Sequence, residues 1–205
     1  MIDPTKILWI PVDIPKFPRP DLLLEPDVKW NYWHYLKFTN WEKVSDAKQS
    51  YKNSYQLNDF KNEFRTKFPE IVEWFNHLPI KTIRNIKYNL QVGRVPSHID
   101  FEYPDFEPEL YKNNLYNEPC GYRVIIRGQR SNVLYVECNG KKTYTTLPES
   151  TDVYLLRQTD GIHGVEEDYH RATIFSHLEI DPEKHKKILK RSIEKYSEFA
   201  VLRQD

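Results

Sequence analysis

Pro96-Ser97-His98-Ile99-Asp100-Phe101 places an imidazole and a carboxylate two residues apart in a stretch that reads as β. Successive side chains on a strand point to opposite faces, so this pattern sends His98 and Asp100 to one side, where they can hold two corners of one metal ion. A His-x-Asp pair alone is weak evidence, because a chain with seven histidines and thirty acidic residues produces one by chance. Order and context add to it. His163 follows several expected strands later, in Asp160-Gly161-Ile162-His163-Gly164-Val165, at a glycine-flanked turn where a ligand can come close. Arg171 then opens the next apolar run. Two histidines and one carboxylate on one face of an ion leave its opposite face open, an arrangement that suits non-haem Fe(II).

Arg171 to Ile180 reads as the last strand, with Arg171, Thr173 and Phe175 on one face and Ala172, Ile174, Leu178 and Ile180 on the other. A guanidinium at that place can bind a carboxylate through two parallel hydrogen bonds. Arg123 and Arg127 share a face of an earlier strand. Of the remaining histidines, His170 is adjacent to Arg171 and therefore points the other way, and His177 comes too late to be followed by a basic strand residue. His34, His77 and His185 have no partner at metal-ligand spacing and are expected in surface or capping roles.

The order His-x-Asp, distal histidine, basic residue resembles that of the 2-oxoglutarate-dependent dioxygenase superfamily. Within it the chain is most similar to the aspartyl/asparaginyl β-hydroxylase-like branch, which includes proline hydroxylases. The resemblance covers about residues 68 to 181 and includes Phe68-Pro69-Glu70-Ile71, Leu78-Pro79-Ile80-Lys81 and Gly121-Tyr122-Arg123-Val124-Ile125. It implies a mainly β fold with flanking helices, a double-stranded β-helix (jelly roll, cupin-like). It also implies Fe(II) held by His98, Asp100 and His163, and 2-oxoglutarate as co-substrate with its far carboxylate on Arg171. Arg123 matches the arginine that approaches the other end of 2-oxoglutarate, but Ile125 stands where the branch usually has a histidine. The implied reaction hydroxylates an amino-acid side chain, in a peptide or free, and converts 2-oxoglutarate to succinate. Two alternatives are a non-catalytic cupin-like binding module and a cupin enzyme using Zn or Mn; the latter gives Arg171 no reason for its position.

Composition narrows the function classes. The 205 residues suit one domain, and 14% aromatics supply large core side chains. Thirty basic and thirty acidic residues balance to zero, so the chain lacks the electrostatic footprint that nucleic acid or an anionic membrane selects. Two cysteines, Cys120 and Cys138, make no disulfide framework and no Cys-x-x-Cys zinc pair. The apolar Ile7-Leu8-Trp9-Ile10 is short and broken by Pro11, so the sequence predicts a soluble, unprocessed, cytoplasmic protein.

The expected organisation is a single domain in three parts. Residues 1–56 form a Pro- and aromatic-rich N-terminal extension whose five early prolines confine pairing to short edge strands, and whose Trp30 to Trp41 stretch suits core packing or a substrate groove. Residues 57–180 hold a helix and the jelly-roll core. Phe60, Phe64, Phe68, Ile71, Val72 and Phe75 recur at helical steps, with Pro69 kinking or splitting the helix. Strands are expected at 81–92, 122–127, 133–138, 142–147 and 152–156, with Asn139-Gly140 as a hairpin turn and Glu102 to Pro119 as a loop. Residues 181–205 form a C-terminal helix capped by Asp181-Pro182, with a solvated cationic face.

Overall fold

A computed structural model describes residues 2–24, 51–57, 60, 62–91, 93–99, 121–157, 161–166, 168 and 171–204. The elements run β1 (Ile7–Pro11), β2 (Tyr51–Leu57), α1 (Asn62–Lys67), α2 (Pro69–Trp74), β3 (Ile80–Gln91), β4 (Val95–His98), β5 (Gly121–Arg127), β6 (Ser131–Cys138), β7 (Lys141–Thr146), β8 (Val153–Leu156), β9 (His163–Val165), β10 (Ala172–Ile180), α3 (Pro182–Tyr196) and β11 (Val201–Leu202). Among the described residues these strands form two antiparallel sheets. The larger has the order β11-β1-β8-β5-β10-β3-β2 and the smaller β4-β9-β6-β7.

The period of two along each strand divides the interior. Tyr122 and Val124 of β5, with Val153 and Leu155 of β8, join the cluster that contains Phe64, Ile71 and Trp74 of the first two helices and Ile188, Leu189 and Tyr196 of α3. Ile125, Tyr154 and Leu156, each one residue out of step with that set, join Leu134, Val136 and Val165 of the smaller sheet. The helices therefore cover the outer face of the large sheet, and its inner face meets the small one.

Local signals explain several boundaries. Phe68 and Pro69 split the expected helix, because proline lacks the amide that would continue the hydrogen-bond ladder. Asn139 and Gly140, both at positive φ (51° and 72°), close the β6–β7 hairpin as an Asn-Gly turn does. Asp181 caps α3 by accepting from the amides of Glu183 and Lys184, and Pro182 occupies the first turn. Arg191 and Lys195 on the exposed side of that helix ion-pair with Asp13.

Four placements differ from the expectations. β1 is flanked by both β8 and β11 rather than lying at an edge, so part of the 1–56 segment belongs to the sheet itself. Its proline sits at the strand's last position, where a missing amide interrupts the ladder least. β10 is not the last strand, since a 3-10 turn at Ser197–Phe199 returns the chain so that β11 pairs with β1. His163 begins a strand instead of sitting in a turn. His185 is neither a surface nor a capping residue: it is fully buried on α3, its Nδ1 lies 2.7 Å from the Tyr122 hydroxyl, and burial pushes its pKa down to about 4. The Trp30 to Trp41 stretch and the Glu102 to Pro119 segment lie outside the described residues, as does Cys120. No helix among the described residues is long and apolar enough to cross a membrane.

Candidate metal centre

β4 and β9 are neighbours in the small sheet, and their register sets His98 directly opposite His163. The two imidazole centres stand 4.5 Å apart with the rings tilted by 50°. Each ring is anchored through Nδ1 to a backbone carbonyl two residues earlier, His98 to Pro96 and His163 to Gly161, both at 2.8 Å. A carbonyl only accepts, so Nδ1 carries the proton in both rings and Nε2 carries the lone pair. This is the orientation that the outer hydrogen bond of a metal-binding histidine imposes. With a metal–imidazole nitrogen bond of about 2.1 Å, ring centres lie about 3.2 Å from the ion, so rings on neighbouring ligand positions have centres about 4.5–5.2 Å apart. The spacing of this pair is of that order. Asp100, the expected carboxylate ligand, lies outside the described residues, and no three His, Cys, Asp or Glu side chains converge among those described.

The small sheet's other face holds this pair in place. Tyr135 of β6 crosses behind Gly164 of β9, and its hydroxyl lies 3.1 Å from Ser97 Oγ on β4. Ser97 also donates to Glu137 at 2.9 Å. A Cβ on Gly164 would come within 2.2 Å of the Tyr135 oxygen and 2.9 Å of the Val95 carbonyl, so only glycine lets β4 and β6 be tied across the strand that carries His163.

Two arginines enter from the large sheet. Arg123 of β5 is 2% exposed; its Nη2 lies 3.3 Å from His163 Nε2, and its Cζ lies 4.2 Å from the centre of the Phe175 ring, directly across the ladder on β10. Arg127, at the end of the same strand, is exposed. Arg171, just before β10, is 1% exposed and donates to Gln91 Oε1 at 3.1 Å and to the Tyr154 hydroxyl at 3.0 Å. The Gln91 amide nitrogen is engaged by the carbonyls of Gly93 and Glu166, which turns its oxygen toward the guanidinium. Both partners of Arg171 are neutral, and it makes no ion pair among the described residues. A buried cation with only neutral partners is costly, and an incoming carboxylate would offset that cost.

The structure thus brings together His98, His163 and Arg123, and buries Arg171 on the same inner sheet face. Gln91 and Tyr154, which orient Arg171, were not singled out from the sequence. Their signal is position: each is a polar or hydroxyl-bearing residue in phase with the inward-facing set of its strand. His34 and His170 lie outside the described residues, His77 is exposed in a 3-10 turn, and His177 falls in β10. No protein-family model matches the chain, and no curated protein matches it.

Proposed function

We propose that the chain is an Fe(II)/2-oxoglutarate-dependent dioxygenase that hydroxylates an amino-acid side chain, free or within a peptide. The observation that carries this reading is the facing pair His98 and His163, each anchored through Nδ1 to a backbone carbonyl, so that Nε2 is the nitrogen a metal ion would use. The strand order adds to it. β3, β5, β8 and β10 are consecutive neighbours in one sheet while β4, β6, β7 and β9 make up the other, the alternation expected of a double-stranded β-helix.

In this reading His98, Asp100 and His163 hold the ion, whose open face is set by having only three protein ligands. When bound, Fe(II) supplies the activation of O₂ that couples oxidative decarboxylation of 2-oxoglutarate to insertion of one oxygen atom into a C–H bond. The protein's part is position and exclusion of water. Arg171 takes the far carboxylate of the co-substrate, held on axis by Gln91 and Tyr154, and its charge finds there the counter-ion that its neutral partners do not provide. Arg123 stands beside the histidine pair, ready for the carboxylate nearer the ion, and Phe175 supplies the surface on which its guanidinium rests.

The test is succinate formation from 2-oxoglutarate by purified protein supplied with Fe(II), with amino acids and peptides screened for stimulation and for a gain of one oxygen. His163→Ala is expected to abolish turnover. Arg171→Met is expected to raise the apparent KM for 2-oxoglutarate by tens of fold, the worth of a charged, bidentate contact of about 2–3 kcal/mol. Undiminished 2-oxoglutarate consumption by the His163 variant would sink the reading.

A further inference from the structure

We propose that the cavity where α1, α2 and α3 meet the start of β3 is a binding site for a small aromatic monocarboxylate. The site is independent of the metal centre: it lies in the helix layer, at the opposite end of β3 from Gln91.

Two local features of the chain shape the cavity. α2 ends in a single 3-10 turn at Phe75–His77, and Leu78 has extended backbone, so the chain leaves the helix axis there and enters β3. The Asp181 amide donates to the Pro79 carbonyl at 2.9 Å, which seats the first turn of α3 against this corner, and Lys184 donates to the Asn76 carbonyl. The space left between these elements is about 290 Å³. That is the small end of the range for ligand sites and suits a body of about ten heavy atoms.

The walls are apolar. Phe60 and Phe75, whose ring centres stand 5.2 Å apart with a tilt of 50°, are joined by buried Leu78 and half-buried Val72 and Ile80. A tilted ring pair offers both an edge and a face to a third aromatic ring. The polar lining is cationic. Arg65 Nε donates to the Phe60 carbonyl at 3.1 Å and its Cζ lies 5.8 Å from the Phe60 ring centre, which folds the guanidinium back over the cavity wall. Lys184 enters from α3, and the Asn76 carbonyl takes one proton of an ammonium that has three. The described lining thus holds two cations and no carboxylate, so an anion is favoured, while the walls gain only from an apolar body. Arg65 is exposed and Lys184 half-buried, so each charge contributes modestly and is screened by salt.

The experiment follows the Asn76 side-chain amide and Leu78 methyl resonances of the full chain by NMR during titration with 3-phenylpropionate and, in parallel, with its neutral counterpart 3-phenylpropionamide. The carboxylate is expected to saturate in the millimolar range or below, and the amide to bind about three- to tenfold more weakly. Lys184→Met is expected to weaken carboxylate binding by about the same factor and to leave the amide unaffected. Val72→Trp, which fills the cavity from a half-exposed position on α2, is expected to abolish binding of both; Lys184→Met serves the comparison if that variant does not fold. No saturable shift at Asn76 and Leu78 up to about 10 mM, or shifts that persist in folded Val72→Trp, overturns the site. Equal affinity for the carboxylate and the amide overturns the carboxylate as its ligand.

Discussion

His163 and His185 are both completely buried, and each has a neighbour from β5 at its ring, yet they lie on opposite sides of the large sheet. Tyr122 reaches His185 in the helix layer, and the next residue, Arg123, reaches His163 between the sheets. Burial does not separate the two histidines, and neither does having a hydrogen bond. What separates them is the company: His163 faces a second imidazole anchored by the same device, whereas His185 lies on the stripe of α3 that also buries Ile188 and Leu189, with the Tyr122 ring edge-on to its own. One face of the sheet carries an apolar and aromatic core. The other gathers two buried arginines and the facing imidazoles together with their polar partners.

If the two faces are as separate as this suggests, emptying the helix side should cost stability and leave metal affinity alone. Phe64 is fully buried, stacked on Phe60 at 5.5 Å and tilted against Phe68 at 5.2 Å. Phe64→Ala is expected to lower unfolding stability by about 3–5 kcal/mol in urea, with the Co(II) dissociation constant of the folded protein unchanged. A weakened Co(II) affinity would show that the helix layer positions the histidines and would break the comparison.

The second effect is pH-dependent. Burial lowers the His185 pKa from an ordinary value of 6.5 to about 4, so the folded state holds this ring neutral. The contribution is complete above pH 6.5 and is lost as the pH falls from 6.5 toward 4, where the unfolded chain binds the proton first; over that window it amounts to about 3 kcal/mol. Urea titrations across pH 4 to 7 should therefore show a slope that flattens in His185→Gln. An unchanged slope would mean that other groups carry the acid sensitivity, and that His185 is not the structural counterpart of His163.

Much of this division was legible from residue order. Alternation in Gly121 to Arg127 and Val153 to Leu156 set which side chains face inward, the proline at 69 split the helix, and Asn139-Gly140 fixed the hairpin. His98 and His163 could be paired because their strands carry them to one place, although β9 is too short, at three residues, to announce itself as a strand. β11 is shorter still and exists only because a turn returns the chain to β1, so tertiary contact rather than pattern creates it. His185 was misjudged among flanking lysines, yet its spacing of three, four, seven and eleven to Ile188, Leu189, Ser192 and Tyr196 marks the buried stripe of α3. The partners of Arg171 could not be read in advance, since Gln91 and Tyr154 meet it through folding alone.

The smallest expected effect probes the one place where packing and chemistry share a backbone. Gly164 lies one residue from His163, and on its far side the Tyr135 hydroxyl occupies the space that a Cβ would need. Gly164→Ala forces β9 and Tyr135 apart, because a 2.2 Å contact cannot be absorbed and the ring is held by Ser97. Overpacking of this kind costs about 1–3 kcal/mol, and the displacement of β9 carries His163 with it. Co(II) affinity is then expected to fall by about tenfold, the scale of a disturbed outer contact at a metal ligand. Gly140→Ala is the control: its Cβ would meet nothing within 4 Å, so the positive φ there costs stability in the hairpin without touching the site. Loss of Co(II) affinity in the first variant and not in the second would place the control of His163 in the clamp across β9. Equal Co(II) affinity in both would mean that the imidazole pair tolerates movement of its strand, and that the carbonyl anchors alone fix its geometry.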